Sequence, residues 1–145
     1  MKVLEVGGLS AGYFGRLFAQ QEATVVRVDQ QHRPPAWASG RSLDAFLHAN
    51  KTCVAAASPA ELSTLADDAD IVVCEAETAD ELGQLGFDEW AAKIKVAITP
   101  FGRTGPKRNW QATPATLLAM GGYTHLIGDP DRMPLTLPGH YLEFQ

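Results

Sequence analysis

The sequence has no apolar run approaching the roughly 18 residues a membrane-spanning helix needs, which argues against a membrane-embedded role. It has two cysteines, Cys53 and Cys74, too few and too far apart for a disulfide framework or a metal cluster. Its four histidines, His32, His48, His125 and His140, lack metal-ligand spacing, so no metal site is expected and they read as loop or surface residues. Positive charge is also short: 12 Lys and Arg stand against 17 Asp and Glu, a net charge of −5. That balance argues against a nucleic-acid binder, which needs a basic face to neutralise phosphates, so no nucleic-acid partner is expected. No basic leader with an apolar core opens the sequence, and with so little cysteine a reduced, cytoplasmic setting is the expectation.

What is present is a core. At 145 residues and 46% apolar content the chain suits one compact domain, 1–145. "KVLEV" (2–6), "TVVRV" (24–28), "CVAAA" (53–57), "IVVCE" (71–75) and "KVAIT" (95–99) read as buried strands. Between them "AGYFGRLFAQQ" places Phe14, Leu17 and Phe18 at helical spacing, and "SPAELSTLADD" opens with a Ser-Pro helix start and a Glu at the third helical position. This alternation predicts an open, mostly parallel α/β sheet with crossover helices, Rossmann-like, in a single domain. Its turns at 7–12, 30–33 and 100–108 should gather at the C-terminal edge of the sheet. Trp37, Trp90 and Trp110 are scattered singly and read as closing small cores, and Tyr13 as packing its helix.

Two stretches carry chemistry. "VGGLSAGYFGRL" (6–17) is a glycine-rich turn opening a helix, with Asp29 ending the next strand. Gly7, Gly12 and Gly15 do not fall as G-x-G-x-x-G, so the stretch resembles a dinucleotide fingerprint without matching it. Backbone N–H groups at such a helix start attract a phosphate or another anion, and the alternative is a turn needed only for packing. "ITPFGRTGPKRNW" (98–110) gathers Arg103, Lys107 and Arg108 behind a strand, where open parallel sheets bind ligands. These cations serve either a bound anion or the acidic face of a neighbouring chain. By contrast, Glu61 to Glu89 holds ten acids and no Lys or Arg, as a solvated face would.

With those residues in view, the chain resembles the class III CoA-transferases, the CaiB/BaiF family. "ITPFGRTGPKRNWQAT" is similar to the family's strand and Phe-Gly-x-x-Gly-Pro loop. "LLAMGGYTHLIGDPDRMPLTLPGHYLEFQ" is similar to its Ala-x-Gly-Gly helix end, Gly-x-Pro-Asp turn and approach to the catalytic residue. "LEVGGLSAGYFGRLFAQQEATVVRVD" matches its opening β-α-β unit, and "HANKTCVAA" resembles its Asn-Arg-Gly-Lys stretch. The family's Asn-Phe-Arg-Pro-Gly is replaced by "AETAD" (76–80). The resemblance covers the N-terminal part of a pattern more than twice as long.

The resemblance implies transfer of CoA between carboxylic acids through a carboxylate nucleophile, whose anhydride and thioester are both reactive enough to turn over. Counting from Gly121 and Gly122 through Gly128, Asp131 and Pro134 places Glu143 where the family has its catalytic Asp. It further implies CoA contacts at Ser10, Ala11 and Gly12 in the first turn, at Arg33, at Asn50 and Lys51, and at Gly102 and Lys107 of the basic loop. CoA would be a cosubstrate, with no permanently bound cofactor. Near the end of the sequence Glu143 is expected to be mobile and solvated, so the isolated chain is expected to be inactive. Missing segments would leave apolar groups near Leu135, Leu137, Tyr141 and Phe144 exposed, which implies a homo-oligomer or a complementary CoA-transferase-like partner chain. The alternative function is a non-catalytic CoA- or nucleotide-binding module or an assembly subunit.

Overall fold

A computed structural model describes residues 1–29, 41–55 and 58–144, with the side chains of Asp29, Arg41 and Glu143 outside the description. Five strands, β1 (Lys2–Val6), β2 (Thr24–Asp29), β3 (Lys51–Ala55), β4 (Ile71–Glu75) and β5 (Ile94–Ile98), form one parallel sheet in the order β3-β2-β1-β4-β5. The connections carry α1 (Leu9–Ala19), α2 (Arg41–His48), α3 (Pro59–Asp67) and α4 (Ala79–Gln84). After β5 come α5 (Pro114–Met120), α6 (Tyr123–Leu126) and a 3-10 turn, Leu142–Phe144. No described helix is long and apolar enough to cross a membrane.

The central strands β1 and β4 are covered on both faces, which is why "KVLEV" and "IVVCE" are nearly continuous apolar runs whose ends match the elements. Leu4, Val6, Val26, Val28, Val72 and Cys74 point to one face and pack with Leu62 and Ala66 of α3, Leu82 of α4, Phe87 and Trp90. Val3, Val25 and Ile71 point to the other, where Ala19, Phe14 and Phe18 of α1 cover them. The edge strands are less regular. β3 begins two residues before its apolar run, because Lys51 joins the ladder opposite Val25 and turns its side chain into the sheet face. Ala56 and Ala57 lie outside the described residues, as do His32, Trp37 and the turn at 30–33.

Helix α3 starts as its sequence demands: Ser58 caps it, the Glu61 N–H donates to Ser58 Oγ at 3.3 Å, and the Ser58 N–H donates to Glu61 Oε2 at 3.0 Å. Helix α1 departs from expectation. Its sheet-facing side is Ala11, Gly12, Gly15 and Ala19, so it lies close to the strands and turns Leu17 outward. Two singled-out residues also differ from the first reading. Trp110 is exposed and edges against Phe101, whereas Trp90 is buried against Phe87. His48 is largely covered, with Nε2 3.3 Å from Asp44.

Asp70 ties the base of the sheet together, accepting from the Lys2 N–H at 2.9 Å and from Lys93 Nζ at 3.1 Å. The backbone bond first, then the lysine, holds its carboxyl below the ordinary 3.8. A depressed pKa gives stability that is present above that ordinary value and lost as pH falls through the folded one. Asp70→Asn should therefore lower the thermal midpoint at neutral pH, with the difference from the parent narrowing as pH is taken below 3.8. A gap of constant size from neutral to acid would refute the linkage.

Candidate functional site

The chain runs outward from β1 through β2 to β3 and then returns to lay β4 on the other side of β1. The crevice above the β1/β4 boundary is the place where open α/β sheets take ligands. A cavity of about 380 Å³ opens there. Gly8, Leu9 and Ser10 of the first turn line it, with Glu75, Ala76 and Glu77 after β4 and Ile98, Thr99 and Pro100 after β5. Its outer wall is Ala112, Pro114 and Leu117 with His140 and Leu142 from the C-terminal segment. Thus turns 7–12 and 100–108 do share one edge of the sheet.

Why the chain turns so tightly at Gly7 follows from its neighbour. Gly7 has φ +132, and a Cβ there would come 2.6 Å from Glu75 Cβ and 2.8 Å from Glu75 O. Gly8 precedes α1 and has no side chain with which to cap it. The carboxylate of Glu75 does so instead: the Ala11 N–H donates to Glu75 Oε2 at 2.8 Å, placing an anion on the positive end of the helix. In register, Cys74 pairs with Val6, so Glu75 stands directly across from this turn.

Beneath the same helix lies a buried ion pair. Lys51 Nζ is 2.5 Å from Glu5 Oε2 and donates to the Gly12 carbonyl at 2.7 Å, and both charged side chains are 1% exposed. Burial drives the Glu5 carboxyl up and the Lys51 ammonium down from their ordinary values, each opposed by the charge of the other. Glu5 Oε1 has no hydrogen-bond partner among the described residues. The close approach of α1 depends on Gly15, where a Cβ would overlap Glu5 Oε2 and lie 3.1 Å from Lys51 Nζ.

The C-terminal segment closes the site. Leu142 and His140 line the cavity, and the Phe144 ring packs on Tyr13 of α1 with centroids 4.7 Å apart. Residue 143, between them in the 3-10 turn, is thereby set against α1 beside the cavity mouth. Leu142 and Phe144 flank the position on either side, and the side chain of Glu143, expected to be mobile and solvated, lies outside the described residues. His140, read as a loop or surface residue, is half-buried in the cavity wall.

A model of CoA-transferase family III matches residues 1–142. The chain belongs to CoA-transferase family III. Among solved structures, a CaiB/BaiF family protein from Brucella suis superposes with a TM-score of 0.83 at 22% identity. The alignment covers 99% of this chain and 44% of that one, so the chain spans less than half the length of that relative. No curated protein matches the sequence.

The CoA contacts implied by resemblance to family III do not all converge. Ser10 lines the cavity and Ala11 lies beside it, whereas Gly12 faces down onto the buried pair. Asn50, exposed with φ +63, and Lys51 precede and begin β3, at the opposite edge of the sheet from the cavity. Arg33 lies outside the described residues. Gly102, φ +77, and Lys107 sit on the exposed part of the β5–α5 loop, where Lys107 lies over the Trp110 ring.

That loop is held by its own chain. Arg103 pairs with Asp88 and lies over Phe87. The Ala79 N–H donates to the Arg108 carbonyl at 3.0 Å, Asn109 Nδ2 to Asp80 Oδ2 at 2.7 Å and Gln111 Nε2 to Glu77 Oε2 at 3.2 Å. Part of the acidic run around α4 is therefore a strap for the basic loop while remaining the exposed, solvated face its composition predicts. Among the described residues no cluster of His, Cys, Asp and Glu could hold a metal. Sequence reasoning did not single out Glu75, whose only signal is its place at the end of a buried strand, and met Glu77 only within "AETAD" (76–80), which replaces the family's Asn-Phe-Arg-Pro-Gly.

Proposed function

We propose that this chain is the nucleotide-side portion of a CoA-transferase that moves CoA between carboxylic acids, completed by further sequence in cis or by a partner chain. The carrying observation is the position of residue 143, held by Leu142 and Phe144 beside a cavity at the switch point of a family III sheet. A Glu143 carboxylate oxygen attacks the thioester carbonyl; the C–S bond breaks and CoA leaves as thiolate, giving a mixed anhydride. The thiolate then attacks the glutamyl carbonyl of that anhydride and releases the first acid, leaving a glutamyl thioester for the acceptor acid to repeat the exchange.

The chain's own residues supply position rather than all of the machinery. A nucleophile works when packing holds it within roughly 0.5 Å of productive geometry, and a site open to water hydrolyses its anhydride. The isolated 145-residue chain, incubated with acyl-CoA donors and free acids, should therefore show no CoA transfer. Supplying the remainder of the family fold should give transfer and a Glu143-linked adduct by mass spectrometry, both abolished in Glu143→Gln. Turnover by the short chain would overturn the need for completion, and an active Glu143→Gln variant would overturn the assignment of the nucleophile.

A second reading, a CoA-binding or assembly subunit without chemistry of its own, draws on the surface of the C-terminal segment. Leu126, Met133 and Leu135 are each more than half exposed, and Tyr123 and Tyr141 are exposed to a lesser degree. Leu137 and Phe144, expected to be exposed with them, are half-buried. Such a surface suits a second copy or a complementary chain.

A further inference from the structure

We infer that Lys51 is a positioning residue: from the far edge of the sheet it holds the first turn of α1, and with it the Leu9–Ser10 side of the cavity, without itself touching what the cavity takes. The inference rests on the CoA reading for the identity of that ligand, and it replaces the direct contact that resemblance implies at Lys51.

The turn needs an outside hold. It joins β1 through Gly7 and Gly8, two residues of the type with the most backbone freedom, and Gly8 brings no side chain to cap the helix. Side chains from two other strands meet the turn at consecutive residues. Glu75 of β4 accepts the Ala11 N–H at 2.8 Å, and Lys51 of β3 donates to the Gly12 carbonyl at 2.7 Å. Because β4 and β3 lie on opposite sides of β1, the two holds act from opposite sides. Leu9 and Ser10, which line the cavity, belong to the turn so fixed.

Lys51 reaches that carbonyl because α1 carries only small residues where it faces the sheet. Ala11, Gly12 and Gly15 are buried there, and a Cβ at Gly15 would lie 3.1 Å from Lys51 Nζ. Stability does not account for the arrangement. A cation beneath the first turn of a helix opposes the helix dipole, and a buried pair such as Lys51 with Glu5 adds little net stability over apolar packing of similar volume. What an apolar side chain could not supply is a donor at one fixed point on the turn.

The experiment separates position from stability. Glu5→Leu with Lys51→Met removes both charges together and keeps an apolar filling, and amide hydrogen exchange then follows the ¹⁵N-labelled chain residue by residue. Protection at Ala11 and Gly12 should fall roughly tenfold or more beyond any fall at Val3 and Val72, whose strands have a neighbour on each side and report opening of the whole sheet. Glu5→Gln keeps the Lys51 donor, so in that variant the same amides should change together or not at all. A uniform change in the double variant, or a selective loss at Ala11 and Gly12 in Glu5→Gln, would overturn the inference. If the double variant does not fold, Glu5→Gln decides alone. Titration of both chains with CoA separates this inference from the CoA reading. Where the parent binds CoA, the double variant should bind it roughly tenfold more weakly, because the wall is no longer pre-organised, and equal affinity overturns the positioning role. Absence of CoA binding by the parent sinks the CoA reading and leaves Lys51 to be judged by exchange.

Discussion

Lys51→Met should destabilise the chain by about 3–5 kcal/mol, which at an ordinary urea dependence lowers the unfolding midpoint by on the order of 2 M. The reason is what remains behind. The side chains of Lys51 and Glu5 are each 1% exposed, and Lys51 is the main opposing charge at Glu5 while also satisfying the Gly12 carbonyl. Methionine fills the space of the lysine stem but leaves a carboxylate in a dry site. Glu5 would respond by holding its proton, and the sign follows: a folded pKa raised above the ordinary 4.5 gives stability that is present below that value and lost as pH rises through the folded pKa. The variant should therefore weaken by up to about 1.4 kcal/mol per pH unit above the ordinary carboxyl range, and over a wider pH span than the parent, in which the Lys51 charge opposes the rise. Replacing both partners, Glu5→Leu with Lys51→Met, should recover much of the loss, because a buried pair contributes little net stability over apolar packing. A single variant within 1 kcal/mol of the parent would mean that water reaches Glu5.

How far the sequence discloses this structure depends on the range over which each signal acts. Strands β1 and β4 are continuous apolar runs because both faces are covered, and the Ser58–Glu61 box is complete within four residues. Both are local facts and were legible. Glu5 was not, since it interrupts a buried strand and its partner stands 46 residues away. Glu75 looks like the polar end of "IVVCE" until the strand order lays β4 beside β1, which no periodicity records. The acidic run and the basic loop were each visible, yet their pairing through Asp88 and Asp80 needed the crossover that brings α4 against the β5–α5 loop. The glycines of the first turn were visible too, and were left open between an anion site and a turn needed only for packing. Gly7 clears the Glu75 backbone, and Gly15 clears the Glu5–Lys51 pair.

That division of labour among the glycines predicts opposite outcomes for one substitution made three residues apart. Gly15→Ala should be severe, on the order of 3 kcal/mol or more, because its new Cβ overlaps Glu5 Oε2 and no partner can give way. Glu5 is tied to Lys51, Lys51 to the Gly12 carbonyl of the same helix, and α1 cannot lift without opening the layer of Ala19, Phe14 and Phe18 over Val3 and Val25. A loss of that size is a large share of the 5–15 kcal/mol that holds a domain together. At Gly12 an added Cβ would meet only Glu5 Oε1 at 3.7 Å, His48 at 3.8 Å and Leu47 at 3.9 Å, which is ordinary packing distance. Gly12→Ala also removes a flexible residue from the interior of a helix, a change that favours folding by up to about 1 kcal/mol. It should therefore leave the unfolding midpoint unchanged or raise it, while Gly15→Ala lowers it sharply. Equal effects at the two positions would show that helix propensity, and not the buried pair beneath α1, sets the requirement for glycine.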